Sequence, residues 1–108
     1  MIIDLKGHAA LITGSSKGVG RAIAEAFAEA GADLVLHGRG GEAELADAVE
    51  TCRARGVNVA SLEADLAIAE ERVIDALFEH AIAAMPKLDI LVNNAGQFFD
   101  VPLFRIGQ

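Results

Sequence analysis

At 108 residues the chain suffices for one small domain and leaves no room for a second. It is 53% hydrophobic and 23% charged, a globular and core-rich balance, and its net charge of -7 argues against binding nucleic acid or anionic lipid through bulk charge. The apolar runs are too short and interrupted to span a membrane, "MIIDLKGHAA" lacks the long apolar core of a secretory signal, and the single Cys52 excludes an internal disulfide, so a reducing cytoplasm is the expected location.

Short apolar runs alternate with helical patterns of about a dozen residues, the signature of βαβ units. "HAALIT" (His8 to Thr13) reads as a buried strand. Val19 to Ala30 reads as a helix with Val19, Ile23, Phe27 and Ala30 inward, ended by Gly31. "DLVLHG" is a second buried strand, and Glu42 to Arg55 a helix with Leu45, Val49 and Cys52 on one stripe, stopped by Gly56. "VNVASLEA" is a third strand with partial alternation. Glu70 to Met85 is a helix with Ile74, Leu77, Phe78, Ala81, Ile82 and Met85 inward, and "LDILVNNAG" is a fourth strand running into a turn. Helical crossovers demand parallel pairing, and helices on both faces explain strands that are apolar throughout. The expected fold is α/β, a Rossmann-like doubly wound parallel sheet in the order 3-2-1-4, the first half of a dinucleotide-binding sheet.

Between the first strand and helix stands "TGSSKGVG". Gly14 suits a sharp turn, Gly18 a close approach of backbone to pyrophosphate, and Gly20 close packing of helix on strand. The helix N-terminus would offer N–H groups and the positive dipole end to phosphates. The spacing is not that of a P-loop, and a glycine turn here also has a purely structural reading. After the second strand, where NAD-selecting sheets carry an acid for the ribose 2′-OH, this chain has Gly38 and then Arg39. With Lys17 on the glycine loop, Arg39 would flank a 2′-phosphate, so NADP(H) is expected over NAD(H). The alternative is that both are ordinary surface cations.

"TGSSKGVG" at 13–20, "AD" at 64–65 and "NNAG" at 93–96 together resemble the short-chain dehydrogenase/reductase family, over essentially the whole chain. The resemblance implies that Gly14, Ser16, Gly18, Val19 and Gly20 line the phosphates and ribose, and that Ser16, Lys17 and Arg39 hold the 2′-phosphate. It places Asp65 against the adenine amino group with the Leu66 N–H beside it, although a helix or turn cap is an equally open role for Asp65. In the NNAG turn, Asn93 would tie neighbouring strands, while Ala95 and Gly96 leave room for the ribose and nicotinamide. The implied chemistry is hydride transfer between the nicotinamide and a small carbonyl or alcohol substrate, with a Tyr as proton donor, a Lys lowering its pKa and a Ser orienting the substrate oxygen.

Those catalytic groups lie beyond the NNAG turn, and the chain has no Tyr. Residues 1–108 are therefore read as one NADP-binding half-domain without catalytic or metal-binding residues, expected to be silent alone. His8, His37 and His80 read as surface or half-buried residues and Cys52 as a small core residue. Three of the five Phe fall in the ending "GQFFDVPLFRIGQ", which needs later structure or a partner to cover it. That tail and an open fourth-strand edge lead to the expectation of a homo-oligomer. An inactive nucleotide-binding or self-associating module is the alternative function. The substrate is not legible.

Overall fold

Four apolar residues, Ala9–Ile12, form β1, and each is buried because both faces of the strand are covered. They are followed by α1 (Gly18–Glu29), β2 (Asp33–Gly38), α2 (Ala43–Arg53), β3 (Val59–Glu63), α3 (Glu71–Ala84) and β4 (Ile90–Val92). The computed structural model describes residues 3–39, 43–65 and 71–94, the last stretch without the side chains of 71–74. The strands form a parallel sheet in the order β3-β2-β1-β4, as the alternation of strands and helices predicts. Leu11 pairs with Val35 on one side and Leu91 on the other, so β1 lies at the centre.

Successive residues of the strands serve opposite faces. Ala10, Ile12, Leu34 and Leu36 pack with Ala24 and Ala28 of α1 and with Leu45, Ala48, Val49 and Cys52 of α2. Ala9, Leu11, Val35 and Leu91 pack with Phe78, Ala81 and Met85 of α3. Helices on both faces make the sheet doubly wound. β3, at the sheet edge, shows only partial burial, which explains its weaker alternation in the sequence.

Two side chains depart from the expected pattern. Val19 is 70% exposed rather than inward, because α1 is rotated to seat Gly20, Ala24 and Ala28 on the sheet, with Ile23 and Phe27 flanking them. Small residues let the helix axis come closer than a Val-based stripe allows. Ile82 is 39% exposed, since the buried stripe of α3 runs through Leu77, Phe78, Ala81 and Met85. The predicted inward Ile74 and the Phe-rich ending lie outside the described side chains and residues.

At the N-terminal ends of the strands, Asp33 accepts hydrogen bonds from the Asn58 backbone and side chain and pairs with Lys87 at 2.5 Å. Burial pushes the Asp33 carboxyl up, but Lys87 and the Asn58 donors outweigh it and hold the group below the usual carboxylate value. Asp89 follows the same logic. Burial raises it, and the Ala9 N–H at 2.9 Å with the His8 ring at 2.6 Å brings the net shift downward.

Candidate functional site

In a parallel sheet every strand delivers its C-terminal end to the same edge, and ligands settle in the crevice outside it. Here that edge collects the glycine turn after β1, Arg39 after β2, Asp65 after β3, and Asn93 and Asn94 after β4. The topology therefore brings together four segments separated by up to 80 residues.

The turn itself is built from left-handed glycines. Gly14 has φ 63° and Gly18 φ 64°, a region that residues with a Cβ enter at a cost. A Cβ on Gly18 would meet nothing within 4 Å, so the backbone there faces open space. A Cβ on Gly20 would overlap the Gly14 carbonyl oxygen and stand 2.6 Å from Asn94 Nδ2. Gly20 thus sets the contact between α1 and the turn. The Asn94 amide donates to the same Gly14 oxygen at 3.1 Å, fastening the turn to β4. One residue earlier, the Thr13 hydroxyl donates to Asn93 Oδ1 at 3.3 Å, joining the ends of β1 and β4.

The N-terminus of α1 carries no side-chain cap from Lys17 and no acid in its first turn. Its early N–H groups lack intrahelical partners, and its dipole is not offset by a carboxylate of its own helix. Val19 stands exposed beside them. This arrangement suits a phosphate group. Lys17 and Arg39 occupy exposed positions on the two segments flanking that opening, Ser16 is buried in the turn, and Asp65 is half-buried at the end of β3. Leu66, Ala95 and Gly96, also expected at the site, lie outside the described residues.

His37 corrects an expectation. Far from being at the surface or half-buried, it is 2% exposed. Gly14 N–H donates to its Nδ1 at 2.9 Å, and its Nε2 lies 2.7 Å from the Ala64 carbonyl oxygen. Its backbone N–H donates to Ser15 Oγ at 2.9 Å, Ser15 N–H returns a bond to its carbonyl, and the Ser15 hydroxyl donates to Ile12 O at 2.7 Å. Ser15, His37 and Asn94 are the site residues that sequence reasoning missed. For His37 the available signal was a polar ring closing the otherwise apolar "LVL" run of a buried strand, next to the glycine turn. His8 and His80 are exposed. Cys52 is buried in the core, and burial, with Glu25 adding to it, pushes its thiol up, away from nucleophilic thiolate character. Among the described residues no helix is long and apolar enough to cross a membrane.

Comparison with known proteins agrees with this geometry. The sequence pattern described as short chain dehydrogenase matches residues 8–105. The 3-oxoacyl-(acyl-carrier-protein) reductase FabG of Aquifex aeolicus is 42% identical over 96 residues, covering 89% of this chain and 38% of the reductase. The crystal structure of a putative short-chain alcohol dehydrogenase from Sinorhizobium meliloti 1021 superposes with a TM-score of 0.80 at 36% identity, covering 96% of this chain and 40% of that one. A 3-oxoacyl-(acyl-carrier-protein) reductase from Agrobacterium tumefaciens, crystallised with NADP bound, gives a TM-score of 0.77 at 40% identity, over 95% of this chain and 38% of that one. The chain spans about two fifths of the length of these relatives. With matching motifs, sheet order and sequence, the chain belongs to the short chain dehydrogenase family of oxidoreductases.

Proposed function

We propose that residues 1–108 form a single cofactor-binding half-domain that holds NADP(H) for hydride transfer to or from a small carbonyl or alcohol. The observation that carries the cofactor choice is the end of β2, where Gly38 and Arg39 stand in place of the acid that would accept from a free ribose 2′-OH. The residues at the sheet edge fit the group. Gly14, Ser16, Gly18, Val19 and Gly20 surround the phosphates and ribose, with the open backbone at Gly18 and the start of α1, which has no side-chain cap from Lys17, toward the pyrophosphate. Ser16, Lys17 and Arg39 take the 2′-phosphate, Asp65 and the Leu66 N–H the adenine, and Asn93, Ala95 and Gly96 the nicotinamide side. The bound nicotinamide supplies or receives the hydride. Support for the choice comes from the NADP-bound Agrobacterium reductase, 40% identical to this chain.

The sequence contains no Tyr, so no phenol is present to exchange the substrate proton. We therefore propose that the 108-residue chain alone binds without turnover. A second reading for these 108 residues by themselves is a nucleotide-binding module without catalysis. Self-association belongs to the proposal too, because β4 borders the sheet and pairs only with β1 among the described residues.

Calorimetry with adenosine 2′,5′-bisphosphate against AMP tests the cofactor choice at the end of the site built from described residues. The bisphosphate binds more tightly, and Arg39→Ala weakens it by one charge-assisted contact, about 1.5–3 kcal/mol or roughly ten- to a hundred-fold. AMP affinity stays nearly unchanged. Equal binding of the two ligands, or an Arg39→Ala effect shared by both, overturns the reading.

A further inference from the structure

The His37 ring lies between two walls of the site. On one side is the Gly14 N–H that opens the glycine turn, and on the other the Ala64 carbonyl immediately before Asp65. A backbone N–H only donates and a carbonyl only accepts. Both contacts are satisfied together by a neutral imidazole with its proton on Nε2, which donates to Ala64 O while Nδ1 accepts from Gly14. An imidazolium carries a second N–H on Nδ1, directed at the Gly14 N–H 2.9 Å away. That pairing is repulsive, and it falls on a residue held at φ 63°.

We propose that neutral His37 is a positioning residue for the dinucleotide: it holds the glycine turn and the Ala64–Asp65 segment at a fixed separation, and a proton on Nδ1 releases the turn and weakens binding. This rests on the NADP(H) reading above. The charged and titratable groups described on the surrounding elements are Lys17 in the turn, Arg39 after β2, Glu63 and Asp65 at the end of β3, and Asp75, Glu79 and His80 on α3, which covers the face that Val35 shares. The carboxylates favour an imidazolium and the cations oppose it. The Gly14 N–H weighs against the proton, because it sits at hydrogen-bond distance from the atom that would take it, in a buried place where charge is poorly solvated. The fold therefore opposes proton uptake. The brace is complete at higher pH and is lost as pH falls.

The test compares NADP affinity of the unsubstituted protein and His37→Asn at about pH 8 and about pH 5.5, on either side of the ordinary histidine range. The Asn side-chain oxygen takes the place of Nδ1 as acceptor and does not titrate. The 2′-phosphate itself titrates near pH ~6 in both experiments, so the difference between the two profiles isolates His37. The unsubstituted protein should lose about ten-fold more affinity on acidification than His37→Asn, the effect of one buried N–H losing its acceptor. Parallel profiles overturn the proposal. Nitrogen NMR of the ligand-free, unsubstituted protein adds a readout that does not depend on the variant folding. It should show the His37 proton on Nε2 and a Gly14 amide resonance that follows the ring's titration. A proton on Nδ1, or a Gly14 amide blind to that titration, overturns the proposal whatever the cofactor. If the NMR signature holds but NADP binds at neither pH, the cofactor reading fails and takes the positioning role with it, leaving only a pH-sensitive turn.

Discussion

Gly20→Ala is the sharpest perturbation of this fold. The added methyl would overlap the Gly14 carbonyl oxygen and lie 2.9 Å from the carbonyl carbon and 2.6 Å from Asn94 Nδ2, where ordinary contact begins near 3.4 Å. Two of those three atoms are backbone in a turn already held by Asn94 and His37, so no side-chain rotation relieves the overlap. Overpacking of this kind costs about 1–3 kcal/mol, and the rigid obstacle argues for the upper end. Displacing the crowded Asn94 amide also breaks the Asn94–Gly14 hydrogen bond, about another 1 kcal/mol. Against this stands the better helix propensity of Ala over Gly, again about 1 kcal/mol. The net loss is about 3 kcal/mol, or on the order of 10–20 °C in Tm for a domain of this size. Far-UV circular dichroism melts measure it. Gly18→Ala is the internal control: the space there is open, and only the positive φ opposes it, at about 1–2 kcal/mol. A Gly20→Ala protein that melts at or above the unsubstituted temperature, or that is less damaged than Gly18→Ala, would refute the argument that Gly20 sets the helix-to-turn contact.

Acid stability should report on the opposite edge of the sheet. Asp33 and Asp89 are both held below the usual carboxylate value, so their contribution is present above about pH 4 and is lost as pH falls through their folded values. Asp33→Asn should therefore flatten the stability profile in that acid window, and urea titrations that keep the same slope for both proteins count against the Lys87 and Asn58 contacts. With NADPH and model ketones, the 108-residue chain should give no reduction above background; turnover that co-purifies with it would require a proton donor other than Tyr. Sedimentation at tens of micromolar, a range we choose to favour association, should find a two-fold dimer joined through the β4 edge. A well-behaved monomer there removes self-association from the proposal.

Element order, helix and strand types and the parallel 3-2-1-4 arrangement were legible in the residues alone. Strands buried on both faces must read as unbroken apolar runs such as "AALI" and "LVL", and helices between them must return the chain to the same edge. The glycine turn was legible for a similar reason, since positive φ at Gly14 and Gly18 restricts residue choice locally. The facing of α1 was legible only in part: Gly20 was expected to pack close, but the hydrophobic stripe was not placed correctly. A hydrophobic stripe is inferred from side chains, and Gly20 has none, so the pattern pointed to Val19 while packing turned the smallest residue inward. Nor was the fate of His37 visible, because its partners lie 23 and 27 residues away in sequence. A polar ring is buried only where distant backbone groups satisfy it, and only the assembled sheet brings Gly14 and Ala64 to its two nitrogens.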